Sequence, residues 1–438
     1  MTEAAPIDAM PTKQFFVDML IRDIPLERAV LDLVDNCIDG AKRLRDPAGL
    51  DFSGLWVKIV LNEQSFVIED NCGGFDIATA RDYAFRFGRP KEARVTPFSI
   101  GQFGVGMKRA LFKFGREFSI LSKTHNESWS VNVNVDLWEN EPSWTFGFLT
   151  ADTNANVPDS ERGTKIEVSR LRPEVSSRFS TQWFQNQLSE MIRVHQRQFI
   201  AKGLEIRLGG TALTAVDLNF LTGTVTPSLE EYEEIFDGVT VKVKIVAGVG
   251  LSSPQTSGWY VVCNGRVILA ADRTEETGWG RATPDNRDVP KFHNQFARFR
   301  GIIYFDCTSA ELLPWNTTKT GVDADSPLWQ RALEKMITST RTVIDFLNDL
   351  DSEASDQGSA GPLAKALASA TPTQADRVTQ KAIFKAPDKE RFSGPVMKRI
   401  AYSRPEAQLN SLMAALGLNT AKAVGEQTFD TVYRDKVI

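Results

Sequence analysis

Histidine is scarce in this chain: only His125, His195 and His293 occur, and none follows His293. A histidine-type phosphorelay needs an acceptor histidine in a dimerising helical hairpin ahead of its kinase domain, and none of the three lies in one. A C-terminal nuclease metal site would need a histidine and acidic cluster, which the region after His293 cannot supply. Cysteine is equally thin. Cys37, Cys72, Cys263 and Cys307 are scattered without metal-ligand pairing and read as reduced thiols. No stretch approaches about 18 uninterrupted apolar residues, and the first residues lack a basic stretch followed by an apolar run. The expectation is therefore a cytoplasmic protein with no membrane contact. A net charge of −5 with 24% charged residues predicts neither a nucleic-acid coat nor a membrane-surface binder, although local basic patches stay open. No internal repeat is found, and a strand-cleaving domain is not expected.

What is present is apolar material for several cores: 42% of 438 residues are hydrophobic, which suggests two or three domains. A helical pattern runs from Phe15 to about Arg45. Strand patterns follow at Leu55 to Val60 and Ser65 to Ile68, then a helix over roughly Ile77 to Phe87, a polar segment Gly88 to Pro97, and a helix at Met107 to Phe114. Further strands are expected near Phe118 to Lys123, Trp129 to Leu137, Trp144 to Leu149 and Thr164 to Val168. The mixture implies an α+β fold with helices on one face of a largely antiparallel sheet. A helix around Gln182 to Phe199 introduces a second domain, with strands at Leu204 to Leu208, Val239 to Val246, Gly258 to Val262 and Gly301 to Phe305, closed by a helix from about Pro327 to Leu350. The expected domains are 1–170, 171–350, a Ser/Ala/Gly-rich linker over 351–380, and a small helical module over 381–438.

Three segments carry chemistry. On a helical wheel, Arg28, Asp32, Asp35, Asn36, Asp39 and Arg43 share an arc of roughly 100°, while most of the remaining circumference is apolar. Such a helix is expected to be mostly buried, leaving aspartates and an amide in a narrow groove; an amphipathic helix with a solvated polar stripe is the plainer reading. Next, Ile68-Glu69-Asp70-Asn71-Cys72-Gly73-Gly74-Phe75 leaves a strand and turns on paired glycines. These allow close approach to a flat ligand, and the Asp70 carboxylate can accept from an exocyclic amine. Third, Ile100-Gly101-Gln102-Phe103-Gly104-Val105-Gly106-Met107-Lys108-Arg109 is a glycine loop opening onto a helix, where backbone amides bind phosphate oxygens. Met107 follows Gly106 where a Walker A loop has lysine, and no βαβ unit precedes the loop, so P-loop and dinucleotide folds are disfavoured.

The order of these segments, followed by Arg162-Gly163-Thr164-Lys165-Ile166 at a strand, resembles the GHKL (Bergerat-fold) ATPases: gyrase B, the ninety-kilodalton heat-shock chaperones, MutL-type repair proteins and the microrchidia (MORC) proteins. Leu31-Asp32-Leu33-Val34-Asp35-Asn36-Cys37-Ile38-Asp39 looks like their asparagine box. The resemblance implies a two-layer α/β sandwich that binds ATP with Mg²⁺. Asn36 would hold the metal and Asp39 would join the cofactor site. Asp70 would read adenine, with Gly74 and Thr164 supporting the base. Gly101, Gln102, Phe103, Gly104, Val105 and Gly106 would wrap the phosphates, and residues 75–100 would be a lid.

Two departures stand out. Asp32 occupies the place of the usual glutamate base, one carbon or roughly 1.5 Å shorter, and Cys72 stands where glycine is usual. Downstream, Trp259 to Ile268 resembles the strand-turn of the transducer domain (ribosomal protein S5 domain 2-like) in MutL and MORC proteins. Pro314-Trp315-Asn316-Thr317-Thr318-Lys319-Thr320 resembles the loop that sends a lysine to the γ-phosphate. Asp32 and Lys319 are the catalytic candidates, whereas Arg266 reads as a surface turn residue. The resemblance further implies an ATP-dependent homodimer, with Phe85, Phe87 and Phe98 of the lid fixed as an interface. Its output would be on a protein client or DNA, in genome defence or DNA maintenance; a non-hydrolysing nucleotide-sensing scaffold is the alternative.

Overall fold

The computed structural model describes residues 11–45, 51–86, 88, 96–101, 104–282, 288–357, 361–389 and 400–437. Helix α1 (Lys13–Arg22) starts where the Thr12 hydroxyl accepts from the Phe15 amide, and α2 (Leu26–Leu44) follows Pro25, whose fixed φ suits a helix entry. β1 (Trp56–Leu61) and β2 (Phe66–Asp70) form a hairpin whose turn is held by Asn62, its side-chain oxygen accepting from the Gln64 and Ser65 amides. Then come α3 (Ile77–Thr79), one turn of π-helix (Ala80–Ala84), α4 (Gly106–Phe114), β3 (Gly115–Lys123), β4 (Ser128–Asn134), α5 (Val135–Asn140), β5 (Phe148–Asp152) and β6 (Gly163–Leu171). After α6 (Pro173–Phe179), α7 (Gln182–His195) and α8 (Arg197–Ala201), the chain adds β7 (Glu205–Leu208) and β8 (Thr211–Ala212) to the same sheet.

That sheet has the order β5-β4-β3-β6-β2-β1-β7-β8, antiparallel except where β7 runs parallel to β1. The period-two alternation puts Val57, Ile59, Phe66, Ile68, Phe118, Ile120 and Val168 inward, under helices, while Lys58, Val60 and Leu121 face outward. Helix α2 is buried around most of its circumference, with Ala29, Val30, Leu31, Val34 and Ile38 inaccessible. The broadly apolar wheel thus describes a buried helix.

The second sheet, β10-β11-β14-β12-β13, comprises β10 (Ser228–Phe236), β11 (Val239–Val249), β12 (Gly258–Cys263), β13 (Arg266–Asp272) and β14 (Phe299–Cys307), with β9 (Asn219–Thr222) outside it. Helix α9 (Pro327–Gln357) packs on β11 and β14. Strand β10 went unread because Glu230, Glu231, Glu233 and Glu234 disfavour a strand locally. At this edge Glu230 pairs with Lys335 and Glu234 with Arg331, both from α9.

Several boundaries differ from expectation. The 204–208 strand belongs to the first sheet, so that unit continues past residue 170 to 212. The predicted helix over 77–87 is α3 plus the π-turn, and the strand at 144–149 begins only at Phe148. Much of the 351–380 segment is packed. Helix α10 (Pro362–Ser369) buries Leu363, Ala366 and Leu367, and β15 (Thr371–Gln374) pairs with β9. Glu353, buried in α9, accepts from the Leu363 and Ala364 amides and so fixes the start of α10. Residues 382–385 bridge to β10 and the preceding turn, and among the described residues the helices of the tail are α11 (Glu406–Leu416), ended by left-handed Gly417, and α12 (Ala421–Val437).

Candidate functional site

Strands β2 and β6 are antiparallel neighbours, with Glu69 opposite Lys165, so the end of one and the start of the other bring Asp70 beside Thr164, far away in sequence. Asp70 Oδ1 accepts from the Cys72 amide at 2.8 Å and from the Thr164 amide at 3.3 Å. Burial pushes this carboxyl up to about 6, against the pull of those amides and of the Cys37 thiol. The approach is close enough to require glycine: a Cβ at Gly163 would stand 1.8 Å from the Asp70 carbonyl oxygen. Gly74, at φ +62°, is held similarly near, since a Cβ there would lie 2.4 Å from the Lys123 carbonyl oxygen.

The glycine loop is tied to α2. Asp39 accepts from the Ile100 amide at 2.8 Å and from the Gly101 amide at 2.7 Å. Cβ positions built on Gly101 and Gly106 would approach Asn36 Oδ1 to 3.5 Å and Asp32 Oδ2 to 3.1 Å, so both α2 side chains face the loop across a gap that larger residues would fill. Among the described residues the Asn36 side chain makes no hydrogen bond and is exposed toward this gap. An amide oxygen beside the carboxylate of Asp32 is the hard-oxygen donor set that suits Mg²⁺ together with phosphate oxygens.

A cavity of about 690 Å³ joins these parts, lined among others by Asp32, Asn36, Asp39, Asp70, Gly74, Gly101, Gly104, Val105, Gly106, Thr164 and Lys319. Every described candidate residue is thereby brought to one space. Gln102, Phe103, Phe87 and residues 89–95 lie outside the described residues, as do the structural questions attached to them. The size suits a nucleotide-class ligand.

Lys319 arrives from the 314–322 loop of the second unit, its backbone in the left-handed region at φ +53°. Its Nζ stands 2.9 Å from Asp35 Oδ2 and 3.4 Å from Asp32 Oδ1. Burial opposes the ammonium charge, but the carboxylates of Asp35 and Asp32 more than reverse that and hold its pKa above the ordinary range. Burial raises Asp32, only partly countered by Lys319. Asp35 is also opposed by burial, yet Arg266 and Lys319 together keep it below the usual carboxylate range.

One expectation needs correction, and a second is narrowed. Arg266 is 1% exposed, its Nε 2.9 Å from Asp35 Oδ1, because the β12–β13 turn docks on α2 instead of facing solvent. Phe85 packs against Trp129 and Phe146 at 6.2 and 5.5 Å between ring centres, and Phe98 lines a second, 220 Å³ cavity beside Phe199. The Phe85 ring is thus engaged within the chain, which makes it a poor candidate for an intermolecular face, whereas Phe98 is partly exposed.

Two residues escaped the sequence reading. Asp35 lay on the polar stripe, but nothing local separates a buried aspartate from one facing a cavity. Lys108, in the first turn of α4, lines the cavity, donates to the Ala84 carbonyl at 2.8 Å and is held down at about 7 by burial. A cation two residues after the last loop glycine was its only signal.

Residues 24–164 match the family model described as histidine kinase-, DNA gyrase B-, and HSP90-like ATPase. No curated protein matches the chain.

Proposed function

On the premise that residues 24–164 carry a GHKL-type ATPase domain, we propose that the chain binds Mg-ATP in the 690 Å³ cavity and hydrolyses it slowly to drive a conformational switch. One observation carries the reading: side chains from Asp32 to Lys319, contributed by both structural units, line a single space. In this reading Asp70 accepts from the adenine amine, with Gly74 and Thr164 lining the base. Asp39 presents the backbone of the glycine loop to the phosphates. Asn36 would hold Mg²⁺, which supplies charge neutralisation for the triphosphate.

Asp32 orients the attacking water and takes its proton, and burial, which raises its pKa, makes it the stronger base. Lys319 lies 3.4 Å away and neutralises charge developing at the γ-phosphate. Because Lys319 belongs to the second unit, the presence of the γ-phosphate changes how that unit is held, and ATP but not ADP then brings two chains together. With Phe85 engaged internally, the exposed Phe15 and Met19 of α1, which packs on α4 behind the glycine loop, join the partly exposed Phe98 as interface candidates. A protein client or DNA would be the target of such a switch.

The pairing of Asp32 with Lys319 also favours a second reading, in which the short carboxylate stays neutralised and the protein senses nucleotide without hydrolysing it. Phosphate release separates the two. Turnover in wild type that is lost in Asp32→Asn, with ATP binding kept, supports the enzyme; release absent from both supports the sensor. Sedimentation with a non-hydrolysable ATP analogue, with ADP and with neither tests the switch, and identical distributions in all three would sink it.

A further inference from the structure

Asp35 is adjacent to Asn36 in sequence, yet its side chain is fully buried, away from the cavity and facing the second unit. Three groups converge on it from three places. Lys319 Nζ, from the 314–322 loop, is 2.9 Å from Oδ2. Gln196 Nε2, between α7 and α8, donates to Oδ1 at 2.7 Å, and Arg266 Nε, from the β12–β13 turn, is 2.9 Å from Oδ1. The Lys319 contact with Asp32 is longer, at 3.4 Å, and that carboxylate is more exposed. Attraction falls with distance and with local dielectric, so Asp35 has the stronger hold on the ammonium. A phosphate entering the cavity competes with Asp32 for Lys319 but does not reach Asp35.

We infer that Asp35 is the positioning residue of Lys319: it pins the ammonium at the cavity wall, leaves its remaining donors to the terminal phosphate, and couples it through Arg266 to the second sheet. The inference rests on the nucleotide reading above and deepens it. A second connection supports the coupling. Asn264, in the same turn as Arg266, donates to the Ser99 carbonyl at 3.1 Å, and Lys42 of α2 bridges the Phe98 and Asn264 carbonyls at 2.7 and 2.9 Å. The β12–β13 turn therefore grips both the root of the glycine loop and, through Asp35, the lysine at its far side.

The test measures, by calorimetry on the full chain, the affinity ratio between a non-hydrolysable ATP analogue and ADP. Wild type is compared with Lys319→Met, Asp35→Asn and the double variant. Asp35→Asn strands the buried Arg266 charge, so the charge-balanced Asp35→Asn/Arg266→Met is measured beside it. Lys319→Met is expected to lower the ATP preference by about tenfold, and either Asp35 variant to lower it similarly with ADP affinity held within about twofold. The Asp35→Asn/Lys319→Met double should fall no lower than Lys319→Met alone, the signature of residues acting through one group. Equal weakening of both nucleotides, additive with Lys319→Met, would mark a structural role and overturn the assignment. So would an unchanged preference in the Asp35 variants while Lys319→Met lowers it. Wild-type preference in Lys319→Met, or no nucleotide binding by wild type, would overturn the reading of the cavity itself, and the assignment with it.

Discussion

Replacing Asp70 with asparagine should stabilise the empty protein while destroying its nucleotide site. The carboxyl is 8% exposed and, because of burial, titrates at about 6 against an ordinary 3.8. At about 1.4 kcal/mol per pH unit, that gap means ionised Asp70 costs the fold on the order of 3 kcal/mol at neutral pH. The sign follows from the raised value. Below pH 3.8 the group is protonated in folded and unfolded chains alike and costs nothing; stability is then lost as pH rises to about 6 and is level above it. Asparagine keeps an oxygen for the Cys72 and Thr164 amides and carries no charge. Its amide nitrogen, however, would meet the adenine amine donor to donor. Urea unfolding of wild type and Asp70→Asn from pH 4 to pH 8 should therefore show an advantage for the variant of up to about 3 kcal/mol at pH 7, shrinking toward zero at the acid end. ATP titration of the same samples should show binding lost at every pH. A stability difference independent of pH would refute the burial cost, and a variant that binds ATP as wild type does would refute the assignment of the base site.

Asn36→Ala removes the cavity-facing amide oxygen, so nucleotide affinity should fall on the order of 100-fold and lose its dependence on Mg²⁺; calorimetry with and without the metal checks this, and wild-type affinity would remove the pocket assignment. Gly163→Ala places a Cβ where the Asp70 carbonyl oxygen stands 1.8 Å away, and β6 must shift from β2. A loss of about 3 kcal/mol of stability is expected, with weakened ATP binding measured at a temperature where the variant is folded; a neutral substitution would show that the strand junction is looser than described.

The local text of the chain already determined the pieces of the site. The apolar circumference of α2 demands burial. Glycines at 74, 101, 104 and 106 permit close backbone approach, and the alternation in β1, β2, β3 and β6 dictates a sheet covered on one face. These features depend on period and backbone freedom, which are properties of neighbours in sequence. Spacing could not decide which polar residue of α2 faces which partner. Asp32, Asp35, Asn36 and Asp39 occupy one stripe, yet Asp32 and Asn36 open to the cavity, Asp39 holds the glycine loop, and Asp35 is sealed against Arg266, Gln196 and Lys319. That division is made by groups from far along the chain: Gln196 between α7 and α8, and the β12–β13 turn and 314–322 loop of the second unit. The same long-range packing buries Arg266, which any local reading leaves in solvent, and draws β7 and much of the 351–380 segment into the body. Burial of a charge depends on what lies opposite it, and only the tertiary structure supplies the opposite side.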